Sequence, residues 1–315
     1  MRYENILETI GNTPIVELKS FNPRPGVQIF AKLEGVNPSG SIKDRIAKKM
    51  IEQAEIRRIL TRRSILLEPT SGNTGVAMAL VAGMKGYPFT AVVPEKITDE
   101  KRAMLELYGA TIITAPGVAG SNGAVQIAQK LALQDRRYVM VYQYGNPANA
   151  AAHYETTAAE IIKDVPDVSM FVAGLGTGGT LTGIARRLKE HAAGIRVVAA
   201  EPMQGDSIPG LRNLADGFVP PVLDLSLLDE RLLVSSHDAW VRTSQLKVQE
   251  GIFAGPSSGA ALEVALRASS TMKRGKIVII LADGGWKYMS EQRREAERYS
   301  QSSTIPVVEP SLMAV

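Results

Sequence analysis

The chain has 315 residues, 45% of them hydrophobic and 22% charged, with a formal net charge of +4. That length sets two domains as the prior, and that balance can bury a sizeable core, which argues against a disordered or fibrous chain. The absence of cysteine excludes disulfides, thiolate catalysis and thiolate metal sites, and leaves a cytoplasmic location as the default.

From Met1 to Gly11, Arg2, Glu4 and Glu8 mix with Ile6 and Leu7, so the stretch lacks the apolar run of a secretory signal. Beyond it, short β-rich runs alternate with segments of helical period, the pattern of a mainly parallel α/β fold. Strands are predicted at Ile29–Leu33, Ile65–Glu68, Thr90–Val93, Thr111–Thr114, Val139–Tyr142, Met170–Ala173, Val197–Ala200, Leu232–Val234 and Ile277–Leu281. Helices are predicted to begin near Ile42, Asn73, Asp99, Asn122, Asn149, Thr180, Ala239 and Ser258, with a polar helix near Ser290 to Tyr299. Apolar runs such as Ile277 to Ala282 are strand-length, too short to cross a bilayer. After them, Ser303, Thr304, Pro306 and Pro310 predict a tail from Ser300 to Val315 that runs over the surface or onto a partner subunit.

Basic residues fall in dispersed pairs, Arg57-Arg58, Arg62-Arg63, Arg186-Arg187 and Arg293-Arg294, which read as solvated helix faces. Aromatic residues are 5% and do not interleave with them, which argues against nucleic-acid binding. A modest positive field suits small anionic substrates.

The segment Pro38-Ser39-Gly40-Ser41-Ile42-Lys43-Asp44-Arg45 places Lys43 where a helix starts. Ser41 is a candidate N-cap with Asp44 three residues on, a capping-box variant. In that first turn the helix dipole and any desolvation favour the neutral amine, the form that attacks a carbonyl to make a Schiff base. A surface lysine on a helix that also carries Lys48 and Lys49 fits the same spacing.

Three loops then fall between predicted strands and helices, where α/β proteins place ligands. Glu68-Pro69-Thr70-Ser71-Gly72-Asn73-Thr74-Gly75 offers hydroxyls and backbone N–H groups at a helix start, a site for a carboxylate or phosphate, or simply a well-capped turn. Gly174, Gly176 and Gly179 in Gly174-Leu175-Gly176-Thr177-Gly178-Gly179-Thr180 have dinucleotide spacing, with Glu201 at the end of the next strand. The same backbone would hold any phosphate monoester, and the loop specifies phosphate better than adenine. Gly255-Pro256-Ser257-Ser258-Gly259-Ala260 contains a formal nucleophile elbow, but His153, His191 and His237 all precede Ser257, against the chain order of the hydrolases. These histidines are also too scattered for a metal site, and no metal is implied.

Gly11-Asn12-Thr13-Pro14, Asn37 to Arg45, Glu68 to Gly75, Gln143 to Asn149, Gly174 to Thr180, Glu201-Pro202, Ile208 to Asn213, Gly251 to Ala260 and Asp283 to Ser290 occur in this order across nearly the whole chain. Together they resemble the fold-type II pyridoxal phosphate enzymes, specifically the cysteine synthases and most closely their B type. The resemblance implies two mainly parallel twisted sheets flanked by helices, as in the β subunit of tryptophan synthase. It also implies a large phosphate-binding domain from residues 1–40 and 149–315, and a smaller mobile domain, 41–148, carrying the substrate-carboxylate loop.

By the same resemblance the cofactor is pyridoxal 5′-phosphate. Lys43 forms the Schiff base, Asn73 contacts the 3′-oxygen, Gly176, Thr177, Gly178, Gly179 and Thr180 cradle the phosphate, and Ser257 meets the pyridine nitrogen. A neutral hydroxyl there leaves the nitrogen largely unprotonated, a weaker electron sink that disfavours transamination and suits elimination from Cβ. Thr70, Ser71, Thr74 and Gln143 grip the substrate's α-carboxylate. The implied reaction is a β-replacement through an α-aminoacrylate, turning O-acetyl-L-serine or O-phospho-L-serine and a sulfur donor into L-cysteine, with Lys43 as tether, base and acid. Sulfide, thiosulfate or a sulfur-carrier protein would each serve as donor.

Arg212 falls where the B-type enzymes carry an arginine near the substrate side chain. Its fork would bind a phosphate bidentately, or pair with a neighbour such as Asp216. Pro256 departs from the pattern and stiffens the approach to Ser257. The same core also serves cystathionine synthases and serine or threonine dehydratases, although Asn37-Pro38-Ser39-Gly40 and Gln143 to Asn149 resemble cysteine synthases better. An NAD-binding dehydrogenase or a non-catalytic homologue is the rival from another class. A homodimer is implied, with no membrane or nucleic-acid partner.

Overall fold

In the computed structural model, residues 2–70, 72–95, 97–116 and 120–301 are described. Ser71 and the tail beyond residue 301 therefore lie outside the described residues. Ten strands are found among them: β1 (Ile15–Glu17), β2 (Val27–Leu33), β3 (Ile65–Pro69), β4 (Phe89–Pro94), β5 (Thr111–Ala115), β6 (Tyr138–Met140), β7 (Val168–Gly174), β8 (Arg196–Pro202), β9 (Glu230–Val234) and β10 (Gly275–Leu281). The helices are α1 (Lys43–Ile56), α2 (Asn73–Lys85), α3 (Asp99–Leu107), α4 (Gly120–Gln134), α5 (Pro147–Ala152), α6 (Ala158–Asp164), α7 (Gly179–His191), α8 (Ser236–Glu250), α9 (Pro256–Ala268) and α10 (Met289–Gln301).

The strands form two sheets. One has six strands in the order β1-β2-β10-β7-β8-β9, all parallel except β1 against β2; the other has four parallel strands, β5-β4-β3-β6. Parallel strands covered on both faces read as continuous apolar runs, and β4, buried at every position, does so. Residues such as Ile29, Met170, Val198 and Ile277 pack beneath one face of the larger sheet, while Phe171, Val197 and Val278 meet α6 and α7 on the other. Two further clusters sandwich the smaller sheet. The α/β class and the paired sheets therefore stand as expected.

Three local features differ from the sequence reading. β1, too short to announce itself, forms because Ile15, Val16 and Glu17 pair antiparallel with Lys32, Ala31 and Phe30. The helix expected from Asn149 starts at Pro147, capped by the Asn146 side chain, and continues through a π-helical turn, His153–Thr157, into α6. The Ser41 capping box is replaced by a shifted arrangement: Ser41 Oγ accepts from Lys43 N at 3.3 Å, while the Asp44 carboxylate reaches back to the backbone N–H and hydroxyl of Ser39. The cause is tertiary, because Ser41 bridges to Asp283 and Ile42 N donates to Ala282 O at 2.9 Å, which fixes the turn from outside.

The sheets position the site. Residues 70–75 follow β3, 143–146 follow β6, 175–180 follow β7, 207–213 follow β8 and 283–288 follow β10, so the loops gather at the carboxyl ends of parallel strands, where α/β folds bind ligands. Among the described residues no helix is long and apolar enough to cross a membrane.

Candidate active site

A cavity of about 920 Å³ is lined by Lys43, Thr70, Asn73, Thr74, Gln143, Gly176 and Arg212, among others. A narrow recess of about 50 Å³ adjoins it, bounded by Lys43, Asn73, Gly176, Thr177, Gly178, Thr180 and Ser257. Residues up to 214 positions apart in the chain thus meet in one place. Lys43, the first residue of α1, is partly buried, and loss of hydration pushes its amine down to about 8 against the pull of the Asp283 carboxylate.

The glycine loop forms a cradle that admits no side chain. A Cβ on Gly176 would stand 2.5 Å from Gly210 O, one on Gly179 2.0 Å from Asn149 Oδ1, and Gly178 has φ +86°. The absent side chains leave room at the start of α7, where Gly179 N meets Thr177 Oγ1 only at 3.5 Å, and the helix dipole behind it suits a phosphate. Thr177 Oγ1 accepts from Asn149 Nδ2 at 3.1 Å, and Thr180 Oγ1 lies 3.2 Å from His153 Nε2. His153, read from sequence as an ordinary structural histidine, is fully buried against this cradle; burial and the nearby Lys43 and Arg45 charges push its pKa well down, so it is neutral. Glu201, the acid of the dinucleotide spacing, is taken by Arg231 at 3.0 Å and by Leu214 N. Ser257 sits in the first turn of α9 behind Pro256, a position whose missing N–H costs the helix nothing.

On the other side of Lys43, Asn73 opens α2. Its Nδ2 donates to Asp283 Oδ2 at 2.5 Å and its Oδ1 accepts from Lys287 Nζ at 3.0 Å; Tyr288 Oη donates to the same Asp283 oxygen at 2.6 Å. Lys287 is wholly buried, and desolvation holds its amine down to about 8. Trp286 packs across Gly40 and Gly284, its ring atoms filling the space a Cβ on either would need.

Thr70 Oγ1 accepts from Gly72 N and Gly75 N at 3.2 and 3.0 Å, so this hydroxyl shapes the loop and caps α2. Thr74 Oγ1 donates to Gln143 Oε1 at 2.6 Å. The Arg212 guanidinium lies between the rings of Tyr144 and Phe218, 5.4 and 4.7 Å from their centroids, and the residue's backbone N–H donates to Leu175 O at 2.8 Å. Among the described residues no carboxylate pairs with it, so the Asp216 salt bridge does not form.

Lys43 is anchored from below. Two residues on, Arg45 makes two contacts to Glu34 and two to Glu160, and Glu160 also meets Lys32 at 2.7 Å. The paired cations hold Glu160 down to about 2. From sequence, Asn149, Asp283, Lys287, Tyr288 and Arg45 have no assigned site role, although each lies in a stretch that carries the family resemblance: Asn37 to Arg45, Gln143 to Asn149 or Asp283 to Ser290.

The residues fit pyridoxal phosphate: a phosphate-sized cradle, a lysine depressed toward its neutral amine, an amide and a serine hydroxyl all bound the same recess. Comparison with known proteins agrees. Residues 6–283 match the family described as "Pyridoxal-phosphate dependent enzyme". The chain is 40% identical to cysteine synthase B of Salmonella typhimurium over 304 residues, covering 96% of this chain and 100% of that one. Among solved structures, a cysteine synthase from Entamoeba histolytica superposes with a TM-score of 0.86 at 34% identity, covering 92% and 90% of the two chains. An O-ureido-L-serine synthase superposes with a TM-score of 0.87 at 37% identity, covering 92% and 94%.

Proposed function

The chain belongs to the pyridoxal-phosphate dependent enzymes, and from that premise we infer that it is a cysteine synthase, joining a sulfur nucleophile to Cβ of an O-activated L-serine. The observation that carries the reading is Lys43, depressed to about 8 where the glycine cradle, Asn73 and Ser257 converge on one recess. Pyridoxal phosphate, when bound, supplies an electron sink that weakens the substrate's α C–H bond and lets the β-substituent leave.

The chain's own residues do the rest. Gly176, Thr177, Gly178, Gly179 and Thr180 hold the phosphate, Asn73 donates to the 3′-oxygen, and Ser257 meets the pyridine nitrogen with a neutral hydroxyl. Lys43 would hold the cofactor between turnovers, and its neutral amine, once free, would take the α-proton of the amino acid and later return it to Cα. Thr74 and Gln143, with Ser71 and the loop that Thr70 shapes, bind the α-carboxylate. Arg212, against the Tyr144 and Phe218 rings and without a carboxylate partner among the described residues, faces the same cavity and accepts a phosphate-bearing substrate, so O-phospho-L-serine is favoured over O-acetyl-L-serine.

Residues 41–148 hold the whole four-stranded sheet and act as the smaller, mobile domain that closes over the cavity; 1–40 and 149–315 form the larger one. The enzyme works as a homodimer in the cytoplasm, with sulfide, thiosulfate or a carrier-bound sulfur as donor. The test is a substrate panel: cysteine formation from O-acetyl- and O-phosphoserine, each with sulfide and thiosulfate. Cysteine in at least one arm is expected; none in any arm overturns the assignment.

A further inference from the structure

Two adjacent peptide N–H groups point at one buried carboxylate. Glu68, in β3, is wholly buried and accepts from Tyr142 N on Oε2 at 2.8 Å and from Gln143 N on Oε1 at 2.9 Å. No cation pairs with it among the described residues, and burial pushes its carboxyl up to about 8 while the two N–H groups pull it down. A buried carboxyl group with no cation beside it is a costly way to satisfy two donors, and its geometry explains what it does.

The turn it holds is strained. Tyr142 has φ +54°, the left-handed region that a tyrosine rarely adopts, and its carbonyl accepts from Gly145 N and Asn146 N. Gln143, next in the chain, is pinned on every side. Its carbonyl accepts from Asn149 Nδ2 at 2.8 Å, and its side-chain oxygen accepts from Thr74. The same Asn149 amide reaches Thr177 of the phosphate cradle, so the turn joins the two halves of the site.

We propose that Glu68 is a positioning residue for the substrate's α-carboxylate: its two oxygens clamp the left-handed Tyr142–Gln143 turn and so aim the Gln143 amide into the cavity. This rests on the reading above, in which Gln143 binds that carboxylate. A glutamine at 68 has nearly the same shape but one acceptor oxygen, so its NH₂ would face a backbone N–H and half of the clamp would be lost.

The test is a cycle of four holoenzymes: wild type, Glu68→Gln, Gln143→Ala and the double variant. KM and kcat are measured for the better serine ester with sulfide, and bound cofactor is read from visible absorbance. Glu68→Gln is expected to raise KM about tenfold, the loss of one buried hydrogen bond, with kcat and cofactor content little changed. In the Gln143→Ala background it is expected to add nothing. Glu68→Gln without effect on KM, or with its full effect when Gln143 is already gone, overturns the proposal. Gln143→Ala without effect on KM overturns the carboxylate reading itself, a separate outcome. Should Glu68→Gln not fold, Glu68→Asp enters the same cycle, because it keeps the carboxyl group but withdraws it from the turn, and the same results decide.

Discussion

Lys287 Nζ donates to Asn73 Oδ1 at 3.0 Å, and this bond, with the one from Nδ2 to Asp283, fixes which way the Asn73 amide faces. With Oδ1 turned to the lysine, Nδ2 is left to donate, to Asp283 and toward the recess. Lys287→Met is expected to cost about 1–3 kcal/mol of stability by leaving buried polar atoms unsatisfied. Denaturant unfolding of the holoenzyme measures that cost. The variant is also expected to bind pyridoxal phosphate more weakly and to shift its visible band, while Lys287→Arg retains both.

If Lys43 holds the cofactor as proposed, its capture is expected to depend on pH. Its amine is lowered to about 8, so the neutral fraction grows as pH rises through 8; at pH 7 about one molecule in ten is ready, against fewer than about one in a thousand for an unshifted lysine. The rate at which apoprotein regains visible absorbance on mixing with pyridoxal phosphate is expected to climb with a midpoint near 8. A midpoint near 10 would show that the site does not depress the amine.

At the cradle, Gly176→Ala puts a methyl group where Gly210 O stands 2.5 Å away, and backbone cannot yield as a flexible side chain would. We expect a stability loss of about 1–3 kcal/mol from overpacking. Cofactor affinity, read by equilibrium dialysis, should fall by at least about a hundredfold, because the loop must shift to relieve the clash.

Arg212 is expected to separate the two serine esters. Charge-assisted hydrogen bonds of about 1.5–3 kcal/mol predict that Arg212→Ala lowers kcat/KM for O-phosphoserine by about 10- to 100-fold. The value for O-acetylserine should change only a few-fold. Equal losses on both substrates would remove Arg212 from the leaving-group site.

Beneath the site, Arg45→Met leaves the buried Glu34 carboxylate without its guanidinium. Breaking such a pair from one side costs about 3–5 kcal/mol. The unfolding midpoint should fall accordingly, with the defect smaller in an Arg45→Met/Glu34→Gln pair that removes both charges.

Much of this was readable in the chain because certain residue types have few alternatives. β3, β4, β7, β8 and β10 show as apolar runs, and Gly176, Gly178 and Gly179 show because only glycine leaves room for what approaches them. What stayed hidden depends on partners far away in sequence. Nothing near Lys287 says that its amine reaches Asn73, 214 residues earlier. Glu68 likewise looks like the ordinary polar end of a strand until Tyr142 is seen to turn left-handed against it. The Ser41 box failed for the same reason, since the turn is set by a bridge to Asp283.

β10 lies between β2 and β7, and it is the last strand of the chain among the described residues. During synthesis β2 emerges early yet waits for its parallel neighbour, with Ile277 to Leu281 still to be made and Ala282 and Asp283, which fix the turn before Lys43, behind them. At about 5–20 residues per second that wait is on the order of ten to fifty seconds. Throughout it the N-terminal hairpin keeps an open edge, and the lysine that emerged among the first residues has no fixed place. Cofactor capture is therefore expected to be a closing event in the birth of this molecule, and a nascent chain that ends before β10 is expected not to hold pyridoxal phosphate.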